Sequence, residues 1–187
     1  MSELGRKRTQ YFGLVAAWLV ADVLTKAWAV RALAPQRLPH RVFGDIVRFT
    51  LVYNQGAGFG MHIGEWSRWI FTGLTIGALA MLAHLYRETR PADSWRTLSL
   101  GLVTAGALGN LIDRLRSAAG VVDFIDIQVA PGVRFWTFNV ADIGVTCGAI
   151  LLAAVLWHEE RARRDVPAEV PAAPGAASAA EATPAPH

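Results

Sequence analysis

Four long apolar runs, separated by polar connections, set the pattern of this chain. They cover Tyr11 to Leu33, Trp66 to Tyr86, Trp95 to Ile112 and Phe138 to Trp157. Each run is about twenty residues long, the length of a helix that crosses a hydrocarbon core. The third run gives the weakest signal, because Asn110 and Asp113 interrupt its far end. The pattern predicts a membrane protein with four transmembrane helices.

The connection between the first two runs, residues 34–65, follows a different pattern. Its sequence IVRFTLVYN is rich in β-branched and aromatic residues and is bounded by glycine and asparagine, which favours short strands. The glycine-rich NQGAGFG comes next, without the Gly-Lys-Ser/Thr of a nucleotide-binding loop. We therefore predict an all-α membrane protein: four transmembrane helices with a small extracytoplasmic β-rich cradle formed by this segment.

The last segment, residues 165–187, consists mostly of alanine, proline, glycine and glutamate. This composition lacks the apolar residues that a packed core needs. We predict one four-helix domain over residues 1–164, followed by a disordered tail.

Basic residues flank the runs on one predicted side of the membrane. They precede the first run, connect the second to the third, and follow the fourth: Arg6, Lys7, Arg8; Arg87, Arg90, Arg96; Arg161, Arg163 and Arg164. Lysine and arginine are enriched on the cytoplasmic side of membrane proteins. The outer connection also carries three arginines, but its length gives it less weight. We expect both termini, with the tail, to be cytoplasmic.

The overall composition agrees with a membrane protein: 53% of residues are hydrophobic, 18% are charged and the mean hydropathy is +0.31. The isoelectric point near 9.5 requires no nucleic acid, since basic flanks that meet anionic lipid headgroups explain it. A single cysteine, Cys147, excludes an internal disulfide and a cysteine-rich metal site. Its neighbours in GVTCGAI are small or apolar, so we expect a buried, inert thiol.

Charged residues inside apolar runs require an explanation, because they are costly there. Asp22 and Lys26 are four residues apart on one helical face and are predicted to form a structural ion pair that faces the bundle. Asp113 and Arg114 end the third run, where charged residues commonly serve as interface anchors.

Two further carboxylates lie at the ends of adjacent runs on the same outer face. Asp142 falls in the first turns of the fourth run, after Asn139 as a candidate capping residue, and Asp123 follows the third run among apolar neighbours. Two carboxyl groups close together share one proton, so one can activate water while the other donates a proton. This is the chemistry of an aspartyl peptidase. Spacing alone leaves Asp126 an equal candidate.

Four motifs in order, YNQGAGFG, GNLIDRL, VVDFIDI and FNVADIG, together with Asp22, Thr25 and Lys26 of the first run, resemble the lipoprotein signal peptidases, or signal peptidase II. The resemblance extends from Tyr11 to Trp157. It implies an aspartic endopeptidase that removes signal peptides from bacterial prolipoproteins, cutting just before a cysteine that carries diacylglycerol.

The same resemblance assigns roles to residues. The catalytic residues it implies are Asp123 and Asp142. The substrate-binding residues are Asn54, Asn110, Arg114 and Asn139, and the residues that give structural support are Asp22, Lys26 and Asp113. It implies no cofactor or metal, a lipidated prolipoprotein and membrane lipids as partners, and no nucleic acid. The expected protein is a monomer in the bacterial inner membrane, with its active site at the outer face. The alternatives are a small membrane transporter that uses Asp22 and Lys26 as an ion relay, or a scaffold subunit.

Overall fold

The computed structural model describes residues 2–44, 46–56, 66–130 and 133–164, without the side chains of residues 130, 133 and 134. Four helices and four strands follow in the order α1 (Glu3–Ala32), β1 (His40–Phe43), β2 (Val47–Asn54), α2 (Ser67–Glu88), α3 (Ser94–Arg116), β3 (Val121–Ala130), β4 (Val133–Arg134) and α4 (Val140–Arg164). The predicted tail, residues 165–187, and most of NQGAGFG lie outside the described residues.

Three of the helices, α1, α2 and α4, are long and apolar enough to cross a membrane among the residues that the structure describes. The prediction of a membrane protein with long helices is therefore confirmed, while the crossing of the membrane by α3 stays a prediction. The weak signal of α3 has a structural cause, because this helix packs against all three of the others. Apart from Leu100 and Leu111, its buried positions are small or polar: Thr97, Ser99, Gly101, Thr104, Ala105, Gly106 and Gly109.

Helix α4 approaches α3 closely where both helices carry small residues. A side chain at Gly106 would collide with the backbone of Ala141 and with Val145, and one at Gly148 would collide with Val103 and the backbone of Ser99. Small residues let membrane helices pack backbone to backbone. This contact fixes the first turn of α4 against α3.

An antiparallel sheet in the order β1-β2-β3-β4 covers the end of the bundle where α1 and α3 end and α2 and α4 begin. Short strands were predicted in IVRFTLVYN, residues 46–54, and the structure has one strand there, β2. The long strand β3, which lies between the third and fourth apolar runs, was not predicted. The sheet packs on the end of α1 through a cluster of apolar residues: Ala29, Leu33, Leu51, Val122 and Phe124.

The register of β3 separates two of the aspartates. Asp123 pairs with Val52 of β2, and Asp126 pairs with Arg48. Side chains alternate between the faces of a strand, so residues three apart point to opposite faces. The sheet therefore directs Asp123 and Asp126 into different surroundings.

Candidate active site

A cavity of about 450 Å³ lies where β3 meets the first turns of α4. Its described lining combines a few polar residues with an apolar wall: Asn54, Asn110, Arg114, Val121, Asp123, Phe135, Trp136, Thr137, Phe138, Asp142, Ile143, Thr146 and Cys147. The structure thus brings Asp123 and Asp142 to one cavity. It places Asn54, Asn110 and Arg114 beside them, while Asn139 is fully buried next to the lining.

Two asparagine side chains connect the two carboxylates. The Asn139 Nδ2 group donates to Asp123 Oδ1 at 2.7 Å and to Asn110 Oδ1 at 3.1 Å. Asn110 Nδ2 then donates to Asp142 Oδ1 at 2.8 Å. Asn139 therefore holds Asp123, and Asn110 of α3 holds Asp142, while a hydrogen bond between the two amides fixes them relative to each other.

The start of α4 holds Asp142 through reciprocal capping. The Asp142 backbone N–H donates to Asn139 Oδ1 at 3.0 Å, and the Asn139 backbone N–H donates to Asp142 Oδ2 at 3.1 Å. This is the geometry of a capping box, which satisfies two otherwise unpaired backbone donors. The positive end of the helix dipole also stabilises a negative charge on the Asp142 carboxylate.

Asp123 is in a more enclosed position, with only 2% of its surface exposed. Burial, together with the nearby negative charge of Asp142, raises the pKa of the Asp123 carboxyl to about 7. Hydrogen bonds from Asn54 Nδ2, at 3.1 Å, and from Asn139 oppose this rise. Near neutral pH, Asp123 therefore holds a proton in part of the molecules.

The predicted ion pair is present: Lys26 Nζ lies 2.8 Å from Asp22 Oδ2, and both residues are buried. Lys26 also lies 2.9 Å from Asp113 Oδ2 and donates to Asn110 Oδ1 at 3.0 Å. Because Asn110 Oδ1 accepts from Lys26, its NH₂ group points to Asp142. The ammonium thus sets the amide orientation on which the Asp142 contact depends.

Asp22 and Asp113 extend this support to two other elements. Asp22 Oδ1 accepts the backbone N–H of Ala141 at 2.8 Å, so a carboxylate of α1 caps the first turn of α4. Asp113 Oδ2 accepts the backbone N–H of Val122 at 3.2 Å, directly before Asp123 in β3. The buried cluster around Lys26 therefore positions the elements that carry both aspartates.

Asp126, the other formal candidate, lies outside the cavity lining. Its Oδ2 accepts the Thr50 hydroxyl at 2.9 Å and lies 3.5 Å from Arg48 Nε. These contacts place Asp126 in the sheet, on the face opposite Asp123. Among the described residues, the geometry favours Asp123 as the partner of Asp142.

The aromatic wall of the cavity was not identified from the sequence. Phe135, Trp136 and Phe138 directly precede α4 and line the cavity with Thr137. The sequence FWTF, residues 135–138, could have indicated this wall, because aromatic residues concentrate at membrane interfaces and FWTF leads into an apolar run.

The expectation of a buried Cys147 is wrong, because this residue is exposed and lines the cavity. Helix α4 packs on its neighbours through Ala141, Gly144 and Gly148, and Cys147 lies off this stripe. The apolar sequence context of Cys147 therefore did not indicate which face of α4 the thiol occupies.

We expect Cys147→Ala to retain most activity. Among the described contacts, the thiol has no basic partner that could remove its proton and leave a thiolate. A bulky maleimide on wild-type Cys147 should inhibit, since it would fill part of the cavity beside Asp142. The measurement is substrate cleavage before and after labelling, with labelled Cys147→Ala as the control. Equal inhibition of both proteins would show that the reagent acts elsewhere.

The fold and the cavity together define an integral membrane protein with two carboxylates in one cavity at one end of its helix bundle, as expected for a membrane-embedded hydrolase. The family described as Signal peptidase (SPase) II matches residues 14–158. The chain belongs to the signal peptidase II family.

Individual relatives and solved structures agree with this assignment. A lipoprotein signal peptidase of Rhodococcus jostii is 40% identical over 155 residues, covering 80% of this chain and 73% of the relative. One from Mycolicibacterium smegmatis is 40% identical over 147 residues, covering 76% and 58%, respectively. A bacterial membrane enzyme solved by the in meso method at 2.3 Å resolution superposes with a TM-score of 0.69 at 27% identity, covering 86% of this chain and 93% of that one.

Proposed function

We propose that this protein removes the signal peptides of bacterial prolipoproteins, cutting the peptide bond just before a cysteine that carries diacylglycerol. Family membership supports the reaction. The observation that carries the proposal is the placement of Asp123 and Asp142 on one cavity, connected through Asn139 and Asn110.

The proposed mechanism is that of an aspartic endopeptidase. The Asp142 carboxylate accepts a proton from water, whose oxygen attacks the scissile carbonyl carbon, while protonated Asp123 donates its proton to the carbonyl oxygen. Collapse of the tetrahedral intermediate breaks the C–N bond: Asp142 passes the proton that it took from water to the leaving amine of the cysteine. Asp123 takes a proton back from a hydroxyl of the intermediate as the new carboxyl group forms, which restores both residues to their starting states. The raised pKa of Asp123 and the helix-end position of Asp142 support this division of roles.

The remaining polar residues of the cavity fit substrate contacts. Arg114 supplies a cation on the cavity wall, and Asn54 reaches the cavity from β2 while donating to Asp123. We assign both to the substrate backbone. Asn110 and Asn139 are already engaged with the carboxylates, so we assign them mainly to orientation of the dyad.

The position of the cavity fits a lipid-anchored substrate. It lies at the end of three helices that can cross a membrane, and its apolar wall continues along α4 through Ile143. Each buried acyl CH₂ contributes about 0.8 kcal/mol to membrane anchoring, so the lipidated cysteine stays near the interface. We propose that α3 completes four spans, that both termini are cytoplasmic and that the cavity faces outward from the inner membrane.

The transporter alternative is less consistent with the site. Its proposed relay residue, Lys26, is only 4% exposed and has three partners in Asp22, Asp113 and Asn110. This arrangement supports a structural role for Lys26.

The direct test of the proposed function is incubation of purified protein with a diacylglyceryl-modified prolipoprotein and with its unlipidated form. We expect cleavage of the lipidated form; absence of cleavage would contradict the proposal.

The pH profile should report on Asp123. The proposed acid must be protonated, and it loses its proton as the pH rises through about 7. We therefore expect kcat/KM to fall above neutral pH, approaching tenfold per pH unit for a single ionisation. Asn54→Ala should move this alkaline limb to higher pH, because the lost hydrogen bond stabilises the ionised carboxylate.

Cleavage rates measured from pH 5 to pH 9 provide the test. Asp126→Asn serves as the control and should leave the position of the limb unchanged, because Asp126 lies outside the cavity lining. A flat wild-type profile across neutral pH would contradict the assignment of Asp123 as the acid.

A further inference from the structure

A second cavity, of about 640 Å³, meets the first one at Asp123. The two cavities share Asn54, Asp123, Trp136 and Thr137. The described lining of the second cavity adds a mainly polar set: Gln36, Arg37, Val52, Tyr53, Gln55, Gly56 and Ala119. We call it the polar cavity. Asp123 therefore stands at a boundary between an apolar and a polar surface.

This change in polarity matches the proposed substrate. On one side of Asp123, the first cavity extends past Phe138 and follows α4 along Ile143 and Cys147. On the other side, the polar cavity presents Gln36 and other hydrogen-bonding side chains. A lipidated cysteine has the same asymmetry, since its acyl chains are apolar and the mature polypeptide after it must remain in water.

The wall of the polar cavity includes an edge of β2 that suits an extended peptide. Strand β1 pairs with β2 at Val47, Arg48 and Phe49, whereas the cavity is lined by β2 from Val52 onward. No residue of β1 pairs with β2 beyond Phe49 within the described ranges. A strand edge of this kind can bind an extended chain through main-chain hydrogen bonds.

Arg37 is the single cationic residue among those described in the polar cavity lining. Its backbone has φ of 65°, a left-handed conformation that costs a non-glycine residue about 1 kcal/mol. A hydrogen bond from its N–H to Leu51 O, at 2.9 Å, holds it against β2. The hydrogen bond to β2 thus fixes the Arg37 backbone beside the cavity. The surrounding structure must hold this backbone in its left-handed conformation.

We propose that the polar cavity binds the first residues of the mature polypeptide, immediately after the lipidated cysteine, and that Arg37 makes the enzyme favour an acidic side chain there. The inference rests on the proposed function and adds a specificity determinant to it. An ion pair at a solvent-accessible site changes binding by a few-fold, so the effect should appear as a preference and leave other substrates cleavable.

The test uses two diacylglyceryl-modified peptides that differ only in aspartate or lysine at the second position after the cysteine. We expect the wild type to favour the aspartate peptide in kcat/KM by about two- to fivefold. Arg37→Asn should remove the preference, because asparagine tolerates the left-handed backbone but carries no charge. Arg37→Glu should reverse it, and raising the salt concentration should weaken both preferences.

Arg116→Glu is the matched control, because it makes the same charge change on the exposed end of α3, outside the described lining of both cavities. It should keep the wild-type preference. If all variants cleave both peptides with the same ratio, the role of Arg37 is refuted while the proposed function stands. If the wild type cleaves neither lipidated peptide, the proposed function and this inference both fail.

Discussion

Asp123→Asn and Asp142→Asn are each expected to lower kcat on lipidated prolipoprotein by about 10²–10⁴-fold while the protein stays folded in the membrane. Proton transfer by a positioned side chain contributes about 10²–10⁴-fold to a rate, and each asparagine removes one such transfer. Asparagine preserves the shape of the side chain, and its single amide oxygen can still accept one of the two N–H donors that hold each carboxylate. The loss should therefore be chemical and not structural.

Single-turnover cleavage with purified variants measures this loss, and thermal unfolding in detergent verifies the fold. Asp126→Asn is the matched control on the same strand, with contacts to Thr50 and Arg48 instead of the cavity. It should retain activity and lose some stability. Near-normal turnover in either dyad variant, or loss of turnover confined to Asp126→Asn, would refute the assignment.

Lys26→Met is expected to destabilise the protein by about 3–5 kcal/mol, the range for removal of one partner from a buried ion pair. The substitution leaves Asp22, which is fully buried, without its counter-charge 2.8 Å away. It also removes the donor that orients Asn110, so activity should fall even under conditions where the variant is folded.

The test compares unfolding curves of three proteins: the wild type, Lys26→Met and Asp22→Asn/Lys26→Met. The comparison separates the stability lost through the unpaired charge of Asp22 from the stability lost through changed packing. The double variant should be more stable than Lys26→Met, because asparagine removes the buried charge and still accepts the Ala141 N–H. Glu160→Gln breaks an exposed pair with the same spacing, to Arg164, and should change stability by less than about 1 kcal/mol. A Lys26→Met variant as stable as the wild type would remove the basis for the support network.

The two carboxylates of the proposed dyad depend on contacts that cross the bundle. Asp142 is held by Asn110 of α3 and by the capping interaction at the start of α4, while Asp123 is held by Asn139 and Asn54. Lys26 joins this arrangement from α1 through Asn110. Substitutions in α1 can therefore affect catalysis without a contact to substrate.

The sequence by itself determined the features that depend on local patterns. Apolar runs of membrane-spanning length marked the helices, and β-branched residues marked β2. The spacing of four residues between Asp22 and Lys26 determined their ion pair, because a helix places such residues on one face. The motifs also determined the family, which the match over residues 14–158 confirms.

Only the tertiary structure decided which side chains meet. It made α3 the central helix, paired β3 with β2, and separated Asp123 from Asp126 by strand alternation. It also turned Cys147 toward the cavity, against the expectation from its apolar neighbours. The carboxylate of Asp22 meets the N–H of Ala141 across 119 positions of the chain. Contacts of this kind depend on helix packing and on strand register. Local periodicity in a sequence indicates neither of them.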